Sequence, residues 1–281
     1  MDAKMYRWRN RIRGFFVHTF LGLTAFTCLF PLFWMVRSSL MSNDTIFTDK
    51  SLIPSQLHFS NFAVAWTKGN FGVYLLNSIL YTATVVFGII VVASLAAYAF
   101  SRLRFPGKNF FFFIFLTAMM IPLPGSFVPL YVLMTKLGLI NTRIGYILCM
   151  INVGLALSIF LLKTFFDKIP SELEDAARID GCSKLGIWRH VALPLAKPAL
   201  AVIVIFNSLN VWNEYILAFL LFNDKSKMPL QLGLWYFKGA TSVEYGFLMA
   251  GLTITVAPIL LFYLVMQKHI IKGISAGAIV R

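Results

Sequence analysis

Charge is scarce in this sequence. Only 13% of its 281 residues are Asp, Glu, Lys or Arg, against about 25% in an ordinary soluble domain. At 59% hydrophobic, the chain holds more apolar side chains than one water-soluble core could enclose, so its natural solvent is lipid. Acidic residues are rarest, 11 against 25 basic. The net charge of +14 does not point to nucleic acid, because the basic residues sit at the ends of apolar runs, as in membrane proteins. Cysteine is nearly missing. Cys28 and Cys149 lie inside apolar runs and Cys182 in a basic loop, with no CxxC pair, so neither a disulfide framework nor a zinc site is expected. The four histidines, His18, His58, His190 and His269, are scattered without ligand-like spacing. No phosphate loop of the GxxxxGK[ST] type occurs. The nearest stretch, Pro106-Gly107-Lys108-Asn109, lacks the upstream glycine and the hydroxyl residue that would hold Mg²⁺. No GxGxxG, HExxH or GxSxG occurs either, and the longest loops, 37–70 and 163–197, are too short for a soluble catalytic domain. The expectation is therefore no catalytic residue, no metal site and no cofactor in this chain; any chemical work belongs to a partner.

What the chain does have is long apolar runs. Crossing ~30 Å of hydrocarbon takes about 20 mostly apolar residues. Six segments qualify: 14–36, 71–100, 109–135, 144–162, 198–223 and 245–267. The expected fold class is an all-α integral membrane protein, a single transmembrane domain over 1–281 with six transmembrane helices. The first run follows Lys4, Arg7, Arg9, Arg11 and Arg13. It is too long for a signal h-region and lacks a small-residue exit, so it reads as an uncleaved span. Pro122, Pro124 and Pro129 interrupt the third span, where each removes a backbone donor. Seventeen of the 25 basic residues fall on the side that carries the two termini. By the positive-inside rule both termini are cytoplasmic, and an even number of spans agrees.

The most informative stretch lies between spans four and five, Ile169 to Pro198. Ser171 followed by Glu174 has capping-box spacing. Glu172, Glu174 and Asp175 crowd the first turn, where the helix dipole favours negative charge. Leu173, Ala176 and Ala177 share a face at i, i+3, i+4 spacing. Gly181 can end the helix in a left-handed cap. Ser183 can start a second short helix carrying Leu185, Trp188 and Val191, which Pro194 stops, and Pro198 can open span five. Physically this is a short cytoplasmic helix with one small-residue face, either a docking element or a solvated connector.

The same stretch resembles the "EAA" motif of binding-protein-dependent ABC importers, E-A-A-x3-G-x9-I-x-L-P. Asp175-Ala176-Ala177 is followed by Gly181, Val191, Leu193 and Pro194 at that spacing, with Asp175 in place of Glu and Val191 in place of Ile. Asn213-Glu214-Tyr215 and the ending Lys272-Gly-Ile-Ser-Ala-Gly-Ala278 are similar to the maltose-type carbohydrate subgroup, second permease position. The resemblance implies a permease subunit that forms half of a sugar pore in a bacterial or archaeal cytoplasmic membrane. It also implies a homologous second permease, an ATPase pair that holds ATP and Mg, and an extracytoplasmic sugar-binding protein. Glu172, Glu174, Asp175, Ala176, Ala177, Asp180 and Gly181 would then couple to the ATPase. Gln231 and Trp235, in the loop from Asp224 to Glu244, would contact the binding protein; an aromatic belt at the membrane interface is the other reading of that loop.

On span five, Asn207, Asn210 and Glu214 fall at i, i+3, i+7, on one helical face flanked by Ser208 and Asn213. Polar side chains facing lipid are costly, so this face should meet protein or water. At ~1.5 Å per residue, Asn207 falls near the midplane and Glu214 near the outer surface. Such a stripe suits a sugar path, and it suits equally the hydrogen-bonded glue between helices. An ion-coupled secondary transporter is the alternative. Against it, charges within the spans are almost absent, whereas proton relays chain several.

Overall fold

A computed structural model describes residues 2–120, 123–237 and 243–278. Their order is α1 (Asp2–Ser39), α2 (Ser60–Thr67), α3 (Phe71–Arg102), α4 (Lys108–Ala118), α5 (Leu123–Lys136), α6 (Arg143–Phe166), α7 (Ser171–Ile179), α8 (Lys184–Ile187), a π-helical turn (Trp188–Ala192), α9 (Leu193–Leu195), α10 (Lys197–Asn213), α11 (Ile216–Leu221), α12 (Leu230–Gly233) and α13 (Tyr245–Ala278). Among the described residues, four helical stretches are long and apolar enough to cross a membrane: 12–39, 71–102, 143–166 and 245–267. A fifth is a bent pair, Lys184–Leu195 with Lys197–Asn213, turned by 78°.

The third expected span, 109–135, which its prolines interrupt, divides into α4 and α5; Pro122 lies between them, outside the described residues, as do Lys238 and Arg281 elsewhere in the chain. One expected span is corrected. The fifth, 198–223, ends at Asn213 and restarts as α11. Its cause is local. Glu214 takes an extended conformation, and its carboxylate accepts hydrogen bonds from the backbone amides of Leu217 (2.7 Å) and Ala218 (3.0 Å). A side chain that binds the free amides of the next helix competes with continuing the previous one.

The chain forms two compact units, residues 1–69 with 236–256, and residues 70–235 with 257–281. In the first, the apolar part of α1 is exposed along its length, as a lipid-facing helix would be. Arg37 pins the loop after it: Nε donates to the Ser51 carbonyl (2.7 Å) and Nη2 to the Asp49 carbonyl (2.8 Å), with the Trp34 ring beneath the guanidinium. Asn61, buried, donates to the carbonyls of Ser39 and Met41.

The second unit is built on α3 and α6, packed along one another with α10 against both. Close approach needs residues without side chains. A Cβ on Gly88 would run into Ile151, and one on Gly154 into Asn207 and Ile89. At one end the rings of Tyr81, Tyr146 and Phe222 meet at 4.8–5.8 Å between centroids. The Tyr81 hydroxyl donates to the Lys227 carbonyl (2.6 Å), and Asn77 donates to the carbonyls of Ser226 and Met228. These bonds tie the segment after α11 back onto α3.

Candidate functional site

The loop 163–197 carries most of the expected coupling residues, and α7 is its centre. Where a capping box was expected, Ser171 makes no cap bond, because the helix begins after Pro170 and Glu174 is turned elsewhere. Glu174 is 3% exposed, and its Oε1 lies 2.9 Å from Arg102 Nε at the end of α3. That contact is out of line for a hydrogen bond, so it acts as a charge pair. Arg178, one turn on, approaches the other oxygen at 3.7 Å. Arg102 Nη2 also donates to the carbonyls of Phe166 and Ile169, which close the end of α6.

A second cluster reinforces the first. Asp167 accepts from the Ser101 hydroxyl (2.6 Å) and from Lys163 Nζ (2.7 Å), while Lys108 Nζ donates to the Ser101 carbonyl. Burial raises the Asp167 carboxyl, but the Lys163 and Ser101 hydrogen bonds and the Arg102 charge outweigh it and hold it below the usual carboxylate range. The short helix is thus fastened to the end of α3 by the Arg102 guanidinium and the Glu174 carboxylate, while the Asp167–Ser101 hydrogen bond ties the ends of α6 and α3 to each other.

That fastening decides which face of α7 points outward. Ala177 is 8% exposed and belongs to the same buried apolar cluster as Ile187 and Phe166. The face expected to contain Leu173, Ala176 and Ala177 is therefore split: Leu173 and Ala176 are outside, Ala177 inside. Ile179, 87% exposed, extends the outer patch. Glu172, Asp175 and Asp180 are also exposed, and Asp175 pairs with Arg178 at 2.6 Å. Gly181 has φ +80°. The amide of Cys182 reaches the Ala177 carbonyl and that of Gly181 the Arg178 carbonyl, the paired bonds of a left-handed helix end. Ser183 Oγ then accepts from the Gly186 amide and opens α8.

The expected stripe on span five does not survive as one face. Asn207 is 6% exposed; its Nδ2 donates to Ser158 Oγ on α6 (3.1 Å) and to the Ile203 carbonyl (2.9 Å). Asn210 and Asn213 are exposed, and Asn213 Nδ2 donates to the Leu209 carbonyl. Glu214 sits past the end of α10, capping α11. Gln231 Nε2 approaches Asn213 Oδ1 at 3.4 Å. The Trp235 ring lies parallel to Tyr215, 5.8 Å between centroids and 4° between planes, with Phe219 alongside. So Asn213, Gln231 and Trp235 are brought together, and Asn207 is set apart. Beneath α10, a cavity of about 390 Å³ is lined by Ile79, Thr82, Val204, Ser208, Trp212 and Phe262 among others.

Sequence reasoning missed Arg102, which counted only as one more basic residue near a span end. Its partner is distant in the chain, and only the α3·α6 packing brings it to Glu174. It also missed Phe219 and the stacking of Tyr215 on Trp235, because ring geometry has no one-dimensional signal.

The family profile described as "Binding-protein-dependent transport system inner membrane component" matches residues 89–276. The chain is 36% identical over 278 residues to the "Probable ABC transporter permease protein YurM" of Bacillus subtilis, covering 99% of this chain and 92% of that protein. It is 32% identical to the "Diacetylchitobiose uptake system permease protein NgcG" of Streptomyces coelicolor, covering 92% and 87%. Among solved structures, it matches a chain of a bacterial ABC transporter involved in the import of the acidic polysaccharide alginate. The TM-score is 0.81 at 28% identity, over 92% of this chain and 97% of that one.

Proposed function

The chain belongs to the family of binding-protein-dependent transport system inner membrane components, and on that premise we propose that it forms half of the translocation pore of an ATP-driven carbohydrate importer. A homologous second permease completes the pore, an ATPase pair supplies ATP and Mg²⁺, and an extracytoplasmic binding protein delivers the sugar. The chain itself hydrolyses nothing. Its six spans are α1, α3, the broken pair α4 and α5, α6, α10 with its bent lead-in, and α13, with both termini on the cytoplasmic side. One relative is named as a diacetylchitobiose uptake permease and a solved relative belongs to an alginate importer, which supports a di- or oligosaccharide as the cargo.

One observation carries the coupling role. A short charged helix, held rigidly at the ends of two spans, turns Leu173, Ala176 and Ile179 to the outside. A rigidly presented apolar patch of this kind marks a partner surface. Nucleotide-driven closure of the ATPase pair moves α7, and the two permeases rock between inward- and outward-facing states. Asn210 and Asn213 line the sugar path, Asn207 pins α10 to α6, and Gln231 with Trp235 faces the binding protein. An ion-coupled transporter would need a carboxylate free to titrate in the spans, whereas both carboxylate oxygens of Glu214 cap α11. The test is co-expression with the neighbouring genes, followed by ATPase assays in lipid nanodiscs over a panel that includes diacetylchitobiose and alginate oligosaccharides. Co-purification of an ATPase and a second permease, with activity stimulated by one loaded binding protein, is expected. ATP hydrolysis by this chain alone, or transport without any ATPase, overturns the reading.

A further inference from the structure

A buried charge pair at a helix end normally needs a reason, since taking two charges out of water costs several kcal/mol per ion. Glu174 and Arg102 form such a pair, with side chains 4% and 16% exposed. Neither reaches outward. Glu174 faces the chain's own interior, although it lies in the turn of α7 next to the exposed Ala176. Arg102 makes contacts in two directions at once, to Glu174 on α7 and to the Phe166 and Ile169 carbonyls at the end of α6, while its own backbone is the last turn of α3. Three helices therefore end on one guanidinium. Its planar, forked donor set can hold two directions simultaneously, which a single ammonium point charge cannot.

We propose that Arg102 and Glu174 are positioning residues of the transport cycle: together they make α7 one mechanical body with the ends of α3 and α6. A displacement of α7 is then carried into the spans rather than absorbed in the 167–170 connection. Small motions are transmitted only through elements that do not yield, because packed cores switch between discrete arrangements rather than deforming continuously. The second cluster of Ser101, Lys108, Lys163 and Asp167 ties the ends of α3 and α6 to each other, and on α7 Ala177 is buried in the core. This inference rests on the coupling reading above, but it assigns Glu174 to the inside of the joint and not to the ATPase contact.

The experiment uses the full complex in nanodiscs, with Cys28, Cys149 and Cys182 removed and a single cysteine at position 210 or 213. The rate of labelling by a small water-soluble maleimide is measured with and without ATP and Mg²⁺. The apolar pair Arg102→Met with Glu174→Leu removes both charges together, so no lone charge stays buried. It is expected to keep the ATPase bound and hydrolysing ATP within about twofold, while the nucleotide-dependent change in labelling falls on the order of tenfold, within the range by which coupling substitutions act. Arg102→Lys with native Glu174 should fall between the two. An unchanged labelling response in the apolar pair overturns the proposal. If that pair does not assemble, Glu174→Gln, isosteric and neutral, carries the same measurement with the same two outcomes. Failure of the coupling reading looks different: the native chain itself then shows no nucleotide-dependent labelling at either position, and the proposal falls with it.

Discussion

Asn207 separates two roles that the same amide could play, a pin between helices or a wall of the sugar path. The perturbation is Asn207→Leu, of the same branched shape but bulkier and without hydrogen bonds. The native amide donates to Ser158 Oγ and to the Ile203 carbonyl. An interhelical bond of this kind inside a membrane protein averages about 0.6 kcal/mol and reaches about 1.7. Ser158, 1% exposed, keeps a hydroxyl that must find another partner; a buried polar group left unpaired costs ~1–3 kcal/mol. The added methyl groups would press on Gly154 and Ile89, where no room exists for even a Cβ on the glycine, and overpacking costs ~1–3 kcal/mol. These overlap, so a loss of about 2–4 kcal/mol is expected. Asn210→Leu, at an exposed position, should change stability by only about 0.5 kcal/mol. The assay is equilibrium unfolding in mixed micelles by SDS titration, paired with transport KM in proteoliposomes. A pin predicts lost stability at 207 with KM unchanged, and a raised KM at 210 with stability unchanged. A stability loss below about 0.5 kcal/mol for Asn207→Leu, together with a tenfold rise in KM, refutes the assignment.

Two other outcomes follow from the geometry. Ile179→Asp and Ala176→Arg, on the outer patch of α7, should weaken ATPase co-purification by at least tenfold and leave the permease folded; Ala177→Arg, which forces a guanidinium into the chain's own core, should instead lower the yield of folded permease. Asp167 has its folded pKa held below the ordinary value, so it contributes stability that is complete above the unfolded carboxylate pKa and is lost as pH falls through the lower folded one. Asp167→Asn should therefore flatten that acid limb of the unfolding curve, read by SDS titration at stepped pH, and an unaltered limb would count against the cluster.

Much of this protein was legible in one dimension because lipid imposes a one-dimensional test. A helix that must satisfy its own backbone across hydrocarbon shows itself as an unbroken apolar run, and the runs at 71–100, 144–162 and 245–267 lie within α3, α6 and α13. Turn chemistry was equally local. Gly181 at positive φ, Ser183 as a cap and Pro198 in the first turn of α10 each do what their own side chains or lack of one favour. The motif Asp175-Ala176-Ala177 with Gly181 named the family because its spacing is preserved along the chain itself.

Direction was not legible. Helical spacing placed Leu173, Ala176 and Ala177 on one face, but it could not say that the Arg102 charge would turn Glu174 inward and carry Ala177 with it. Nor could it say that the Glu214 carboxylate would satisfy the amides of Leu217 and Ala218 and so end α10, dividing a polar stripe that continuous helical counting had joined. Which runs are apolar enough to span a membrane, the local turn chemistry at Gly181, Ser183 and Pro198, and the family the chain joins could all be read from the sequence, since those depend on neighbours a few residues apart. The tertiary structure alone decided which side of α7 faces out, that Asn207 binds Ser158, and that α3, α6 and α7 end on one arginine, because each of those requires groups far apart in the chain to meet in a place where an unpaired charge or amide would be costly.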